Sequence, residues 1–128
     1  MSTPDPTPLT LPDFLLARIA EDEEVAQAAT HQKIAGPSHG NWNVDSALLM
    51  ANGMLERVDR LHIARHDPAR VLAECEAKRQ IVAIATEATR MVDSSPADHR
   101  AASDAESILR TLALSYVDHG DYREEWRL

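Results

Sequence analysis

Apolar residues recur at helical spacing along three long segments of this chain, and each segment opens on a residue pattern typical of a helix start. Such spacing places the apolar side chains on one face, which a helix must pack against a core. The clearest start is at Thr10, which can cap a helix whose first turn holds Pro12 and whose capping box ends on Asp13. We therefore expect a first helix from Thr10 to about Ala29.

A second helix is predicted from Asp67, an acid at the N-cap position that is followed by Pro68 at the first helical position. The apolar stripe behind these residues predicts that the helix continues to about Met91, before Ser94-Ser95-Pro96 ends it. Its expected buried positions are Leu72, Cys75, Val82, Ala85 and Val92.

A third helix is predicted from Ser103, which forms an S-x-x-E capping box with Glu106. His119-Gly120 provides a C-terminal stop, and Asp121 is expected to cap one last short turn at the end of the chain. The buried positions expected in this helix are Ile108, Leu109, Leu112 and Tyr116.

The segment between the first two helices has two interpretations. Residues 42–61 can form two strands around Asn52-Gly53, because both of these residues tolerate the positive φ angles of a tight hairpin turn. The same residues include many good helix formers, so a helix is the alternative. An Asn-Gly pair inside a helix would cost about 1 kcal/mol or more relative to alanine, and this cost favours the hairpin.

These elements predict a mainly α fold, a small helical domain of three principal helices with a short β-hairpin between helices 1 and 2. Residues 1–8 contain three prolines and are predicted to be a flexible tail, and residues 9–128 are predicted to form a single helical domain. The lone Cys75 excludes a disulfide within the chain and a zinc site with several cysteines.

The net charge of -8, with 44% hydrophobic residues, is typical of an acidic globular protein and disfavours binding to a nucleic-acid backbone. No apolar run approaches the roughly 20 residues that cross a bilayer, and the N-terminus lacks the pattern of a signal peptide. We therefore expect a cytoplasmic protein without a membrane partner. The charge is uneven, because residues 57–70 hold four arginines against two aspartates.

This basic segment predicts a site for a small anionic ligand such as a nucleotide. A helix N-terminus offers unpaired N–H groups, and arginine offers a two-pronged donor for phosphate or carboxylate. The candidate ligand-binding residues are His62, Arg65, His66 and Arg70. Asp67 opposes this interpretation, since its own carboxylate can occupy the helix start, and a solvated basic face is the alternative.

The same segment gives only weak signals for other chemistry. His62 and His66 are four residues apart, a spacing used by zinc pairs, and Cys75 could add a third ligand. However, the H-E-x-x-H pattern is absent, and Cys75 falls on the apolar stripe of its helix, where a small buried side chain is expected. No nucleophile, base and orienting group can be assembled from the sequence. We therefore predict no metal, no cofactor and no catalytic residues, which favours a protein that is not an enzyme.

The C-terminal residues carry two of the five aromatic rings of the chain. Tyr122 and Trp126 are four apart and would share one face of a helical turn, with Arg123 beside them. Two large aromatics at a chain end indicate that the end docks on a surface. That surface is either the core of the same domain or a partner protein, and in the second case Tyr122, Arg123 and Trp126 are the interaction residues.

Three blocks of the sequence resemble those of a known protein family. LHIARHDPARVLAECEAKRQIV at residues 61–82, YVDHGDYREEWRL at residues 116–128 and, to a lesser degree, residues 12–30 resemble the signature blocks of a family of short uncharacterised proteins from actinobacteria and their phages. The family's Gly-Pro-Trp after the first helix is replaced here by Gly36-Pro37-Ser38, with Trp42 later in the chain. The resemblance implies that the chain is related to these proteins, and it implies no particular activity.

The sequence therefore favours a non-enzymatic interaction or regulatory protein of bacterial or phage origin. Its interaction surface would combine residues 62–70 with the C-terminal tail, and its partner would be another protein or a second copy of the chain. The alternative is a small-ligand binding protein that holds a nucleotide or other anion at the Asp67 helix start with Arg65, His66 and Arg70.

Overall fold

The computed structural model describes residues 9–30, 42, 56–91 and 95–128, and these are mainly helical. This confirms the mainly α fold class. The helices are α1 (Leu11–Thr30), α2 (Arg57–Arg65), α3 (Pro68–Arg90) and α4 (Pro96–Ala113), with short 3₁₀ turns at Leu114–Tyr116 and Glu124–Trp126.

Helix α1 begins where its capping signal predicts. The backbone N–H of Asp13 lies 3.3 Å from the hydroxyl oxygen of Thr10, and the helix ends at Thr30, one residue beyond the expected end. Of the apolar stripe predicted for this helix, Leu15, Ile19 and Ala26 are buried and Leu16 is half-buried. The start, the length and the inward face of α1 were therefore all readable from the sequence.

Helix α3 confirms the second predicted helix. Asp67 accepts a hydrogen bond from the backbone N–H of Arg70 at 2.9 Å, and the helix ends at Arg90, close to the predicted end. The predicted stripe is buried at Cys75, Val82 and Ala85, whereas Leu72 is half-buried. The last predicted position of the stripe, residue 92, lies outside the described residues.

The predicted β-hairpin is not supported, because the described ranges contain no strand. The last part of its second strand, from residue 57 onwards, is instead the start of α2, where the backbone N–H of Arg60 bonds to the carbonyl of Glu56. Arginine, leucine and alanine are good helix formers, and these residues are frequent in α2. The Asn52-Gly53 turn itself lies outside the described residues.

Helix α4 begins seven residues before the predicted box at Ser103, which lies inside the helix. The actual cap is Ser95, whose hydroxyl accepts from the backbone N–H of Asp98 at 3.1 Å, with Pro96 at the first helical position. Ser95 and Pro96 belong to the stop predicted for the second helix, and they also begin α4, because a serine followed by proline and an acid satisfies the exposed N–H groups of a new helix.

The last part of the chain also differs from the prediction. Helix α4 ends at Ala113, before the stop predicted at His119-Gly120. Of its predicted buried positions, Leu109 is buried, Leu112 and Tyr116 are half-buried, and Ile108 is 47% exposed.

The last 3₁₀ turn has Arg123 at its N-cap position and no side-chain cap, so Asp121 does not cap it. The carboxylate of Asp121 lies instead 3.9 Å from the guanidinium of Arg18. Charge attraction to a cation therefore replaces the expected bond to the backbone.

The chain divides into two compact units. Unit 1 comprises Met1–Arg18 and Arg79–Leu128, and unit 2 comprises Ile19–Lys78. The buried apolar residues of unit 1 are Leu11, Phe14, Leu15, Val82, Ala85, Ala105, Leu109, Ala113 and Trp126, and those of unit 2 are Ile19, Ala26 and Cys75. The tail predicted at residues 1–8 lies outside the described residues. Within the described parts, no helix has the length and apolarity needed to cross a membrane.

Candidate functional site

The carboxylate of Asp67 connects two separate parts of unit 2. Its Oδ1 accepts from the backbone N–H of Arg70 and so caps α3, while its Oδ2 accepts from the backbone N–H of Trp42 at 3.0 Å. An ionised carboxylate is an acceptor at both oxygens, so one side chain can make both bonds. As a result, Trp42 is held beside the first turn of α3 through its backbone, and its indole ring is not used by this tether.

His66 follows the last residue of α2 and has a fixed ring. Its Nδ1 lies 2.9 Å from the carbonyl oxygen of His62, and the two imidazole rings are 4.4 Å apart between centroids. Because a carbonyl can only accept, Nδ1 must carry the hydrogen, and in the neutral ring Nε2 is then an acceptor. The helix end therefore orients His66 and defines which ring nitrogen is left for a ligand.

The two arginines of the predicted anion site lie at the end of α2 (Arg65) and in the first turn of α3 (Arg70). The Nε of Arg70 pairs with Oε1 of Glu74 at 2.8 Å, and its Nη1 donates to the carbonyl oxygen of Arg65 at 3.3 Å. The side chains of Arg65 and His62 are exposed on α2. Of the four predicted ligand-binding residues, His66 lines a cavity formed by described residues.

This cavity, which we call the Trp42 pocket, has a volume of about 430 Å³ and lies within unit 2. That volume is in the range of pockets that bind small organic molecules. Its apolar walls are Val25, Ala26, Ala29, Trp42, Pro68 and Val71, and its polar side chains are Asp22, His66, Glu74 and Lys78. The walls come from α1 on one side and from the start of α3 on the other, with Trp42 as the aromatic wall.

The lining of the Trp42 pocket suits binding more than covalent chemistry. Two carboxylates, Asp22 on α1 and Glu74 on α3, accompany one cation, Lys78, and the indole of Trp42 offers an aromatic surface. Neither a hydroxyl nor a thiol side chain is among the described lining residues. The site can therefore stack a flat group and attract positive charge.

Cys75 is not among the described residues that line the Trp42 pocket. Its side chain is buried on the inward face of α3, as expected for a small core residue. The described residues contain no group of three or more His, Cys, Asp or Glu side chains placed to hold a metal ion. The structure thus does not bring Cys75 to the exposed His62 and His66, with which it would have formed the weak zinc set.

The predicted interaction residues at the C-terminus lie in unit 1, around Phe14. Trp126 is 6% exposed, and its ring centroid is 5.0 Å from that of Phe14 and 5.7 Å from that of Tyr122. The hydroxyl of Tyr122 is buried without a hydrogen-bond partner among the described residues. Arg123 is exposed and pairs with Glu125 at 3.3 Å. The chain end therefore packs on residues of helix α1, with Trp126 buried, Tyr122 half-buried and Arg123 exposed.

Arg18 explains why the chain end docks there. This residue is 6% exposed, its Nη1 contacts the imidazole nitrogens of His119, and its guanidinium carbon lies 5.3 Å from the ring centroid of Phe14. A buried cation is costly unless polar groups surround it. His119 and Asp121 of the C-terminal segment supply such groups, so the segment contributes to the polar environment of Arg18.

Sequence reasoning missed both Trp42 and Arg18. The signal for Arg18 was its place on the apolar face of α1, three residues after Leu15 and four after Phe14. A charged residue in such a position needs a partner from elsewhere in the fold. Trp42 carried a weaker signal: it follows a segment of turn-forming residues, where a large aromatic side chain has no helix stripe to join.

Comparisons with known proteins place the chain in a family without giving it a function. A family model described as a family of unknown function, DUF6221, matches residues 9–128. Neither the curated proteins nor the solved structures include a match to the chain. The expected kinship with an uncharacterised family is therefore confirmed, while the bacterial or phage origin stays a prediction.

Proposed function

Since the chain belongs to the family of unknown function DUF6221, whose description assigns no activity, we propose from the geometry of unit 2 that it is a non-enzymatic binding protein for a small organic cation. The ligand lies in the Trp42 pocket, with its flat or apolar part against the indole and its positive group near Asp22 and Glu74. The observation that carries this proposal is the cavity of about 430 Å³ with an aromatic wall held in place by Asp67.

The architecture of the Trp42 pocket supports a specific site. Trp42 is tethered through its backbone, so its ring remains available as a wall, and a wall that is positioned before the ligand arrives lowers the ordering cost of binding. His66 is oriented by its bond to the carbonyl of His62 and can accept a hydrogen bond from a ligand. A few fixed polar groups within an apolar lining are typical of small-molecule sites.

The charge of the ligand is inferred from the same residues. The N–H groups at the start of α3, which would attract an anion, already face the carboxylate of Asp67. The guanidinium of Arg70 is paired with Glu74. Two carboxylates, Asp22 and Glu74, line the pocket with one cation, Lys78. Because Arg70 offsets part of the charge of Glu74, the preference for a cation depends mainly on the face of Trp42, whose cation–π attraction is about 0.5–2 kcal/mol. We therefore favour a cation over the nucleotide or other anion that the sequence suggests.

Binding is tested with three ring compounds that differ in charge: 2-phenylethylamine, 3-phenylpropionate and 2-phenylethanol. The Trp126→Phe variant leaves Trp42 as the single tryptophan, so its fluorescence reports on the pocket. We expect the amine to change this fluorescence with a saturating curve and to raise the melting temperature by mass action. The alcohol should bind more weakly, and the carboxylate should not bind.

Matched variants locate the binding. Trp42→Ala should abolish the melting-temperature response to the amine, whereas Val58→Ala, which shortens an exposed side chain of α2 outside the pocket lining, should leave it unchanged. Asp22→Asn with Glu74→Gln should reduce binding of the amine to the level of the alcohol. The proposal is contradicted if the carboxylate binds at least as well as the amine, or if Trp42→Ala retains the response.

A further inference from the structure

One residue that lines the Trp42 pocket is of a type that changes its charge near neutral pH. His66 contributes an imidazole to the lining, and its side chain is exposed to solvent. Histidine is the side chain that ordinarily gains a proton between pH 5 and pH 8. The charge that the pocket presents to a ligand therefore depends on pH through this residue.

The hydrogen bond of His66 determines where the proton is added. Its Nδ1 lies 2.9 Å from the carbonyl oxygen of His62 and donates to it in the neutral ring. The same N–H group is present in the charged ring, so protonation leaves this bond in place and adds the new hydrogen at Nε2. The ring thus keeps its orientation, while the nitrogen that is left for a ligand changes from an acceptor to a donor.

The other charged side chains of the lining come from α1 and α3. The described lining residues include two carboxylates, Asp22 on α1 and Glu74 on α3, and one ammonium group, that of Lys78 on α3. With a neutral His66, these two acids against one base leave one formal negative charge. Protonation of His66 reduces that formal charge to zero. A single proton therefore removes the excess negative charge of the described lining.

His66 also has charged neighbours along the chain and in α2. Arg65 precedes it and is exposed, while Asp67 follows it and binds the backbone N–H groups already described. The guanidinium of Arg70 is held in an ion pair. The ring of His62 lies 4.4 Å from that of His66 between centroids. Since both are imidazoles, they take up protons in the same pH range, and a proton on one ring opposes a proton on the other.

We propose that the Trp42 pocket is proton-linked, so that protonation of His66 releases the organic cation and binding of the cation releases the proton. This inference rests on the proposed function, because it concerns the regulation of the same site. A cavity of about 430 Å³ places the two positive charges within roughly 8 Å of each other. At that distance, and at a dielectric constant between those of water and a protein surface, their repulsion weakens binding about fivefold. The protein thus holds its ligand at neutral pH and releases it as the pH falls.

Proton linkage is tested by titrating the Trp126→Phe protein with 2-phenylethylamine at about pH 8 and about pH 5.5, the range in which imidazole ordinarily changes charge. The fluorescence of Trp42 reports binding. A primary amine is a cation at both values, as lysine is, so a change in affinity comes from the protein. We expect the dissociation constant of the amine to be about fivefold higher at the lower pH. The uncharged 2-phenylethanol should bind with similar affinity at both.

Substitutions of the two histidines assign the effect, each made in the same Trp126→Phe background. His66→Gln retains an amide that can donate to the carbonyl of His62 but cannot take up a proton, so it should bind the amine equally at both pH values. His66→Lys is positively charged at both and should bind weakly at both. His62→Gln is the matched control, because His62 is exposed and is not among the described lining residues; it should retain the pH dependence. Circular dichroism checks that each variant retains its helix content.

Calorimetry measures the linked proton directly. Titration of the protein with the amine near pH 6.5, in two buffers of different ionisation enthalpy, should show proton release on binding in the wild type and none in His66→Gln. Proton release or pH dependence that persists in His66→Gln overturns the assignment to His66. An affinity that is the same at both pH values overturns the proton linkage and leaves the proposed binding site standing. An amine that binds at neither pH overturns both proposals.

Discussion

The two tryptophans of this protein lie in contrasting environments. Trp126 is enclosed in unit 1, where its ring packs on Phe14 and Tyr122. Trp42 is half-buried in unit 2, where a backbone hydrogen bond to Asp67 holds the residue and its ring lines an open pocket. In unit 1 the aromatic ring stabilises the fold, whereas in unit 2 we propose that the fold positions an aromatic ring for a ligand. On this proposal the same residue type serves two purposes, and burial distinguishes them.

The largest expected effect is a difference in the free energy of unfolding between variants of the two tryptophans. Trp126→Ala should lower the free energy of unfolding by about 3–5 kcal/mol, because it removes a large buried side chain from unit 1. Trp42→Ala should lower it by less, since Trp42 is half-buried whereas Trp126 is only 6% exposed. Urea denaturation followed by circular dichroism measures both values. Equal losses for the two variants would contradict the distinction between a structural and a binding tryptophan.

A medium effect is expected at Arg18, whose buried guanidinium contacts His119 and approaches Asp121. Arg18→Met keeps an apolar stem of similar length but removes the charge, and we expect a loss of about 2 kcal/mol in the free energy of unfolding. The loss is less than for a fully buried ion pair because the side chain of Asp121 is 61% exposed. In Arg18→Met, amide hydrogen exchange should become faster than in the wild type, and the increase should be larger at residues 119–126 than in α1.

Arg65 is the matched control for this prediction, because it is an exposed arginine on α2. Arg65→Met should change the free energy of unfolding by less than about 0.5 kcal/mol. A similar loss at both positions would mean that the contacts of Arg18 with the C-terminal segment do not stabilise unit 1.

Local signals made much of the fold predictable. The caps at Thr10 and Asp67 and the stripes behind them define α1 and α3, because the residues that satisfy a helix start and cover a core are close together in sequence. The start of α4 was misplaced, since Ser95 and Ser103 both begin plausible capping boxes and the choice depends on Pro96. The hairpin expected at residues 42–61 was favoured by the Asn52-Gly53 pair. This pair determines only the local backbone conformation of a turn, and it does not determine the secondary structure of the residues that form α2.

The candidate site was less predictable, because its parts meet only in three dimensions. His66 was identified from the sequence, but Asp22 and Trp42 are distant along the chain and reach the pocket through the packing of unit 2. The pairing of Arg70 with Glu74 was also not anticipated, and it withdraws a cation from the predicted anion site. Spacing along a sequence identifies helix faces, whereas the charge of a pocket depends on which faces come together.

The smallest expected effect concerns Asp67, whose two oxygens perform separate tasks. Asp67→Ala removes both the cap of α3 and the tether of Trp42, and it should lower the free energy of unfolding by about 1 kcal/mol. Asp67→Asn keeps one acceptor oxygen, which can still cap the helix, but its amide NH₂ cannot accept from the backbone of Trp42. We therefore expect Asp67→Asn to lower stability by only a few tenths of a kcal/mol, while binding of 2-phenylethylamine weakens several-fold because Trp42 is less well positioned. Parallel urea denaturation and fluorescence titration of the two variants test this difference, and an Asp67→Asn variant with wild-type binding would show that the tether does not organise the pocket.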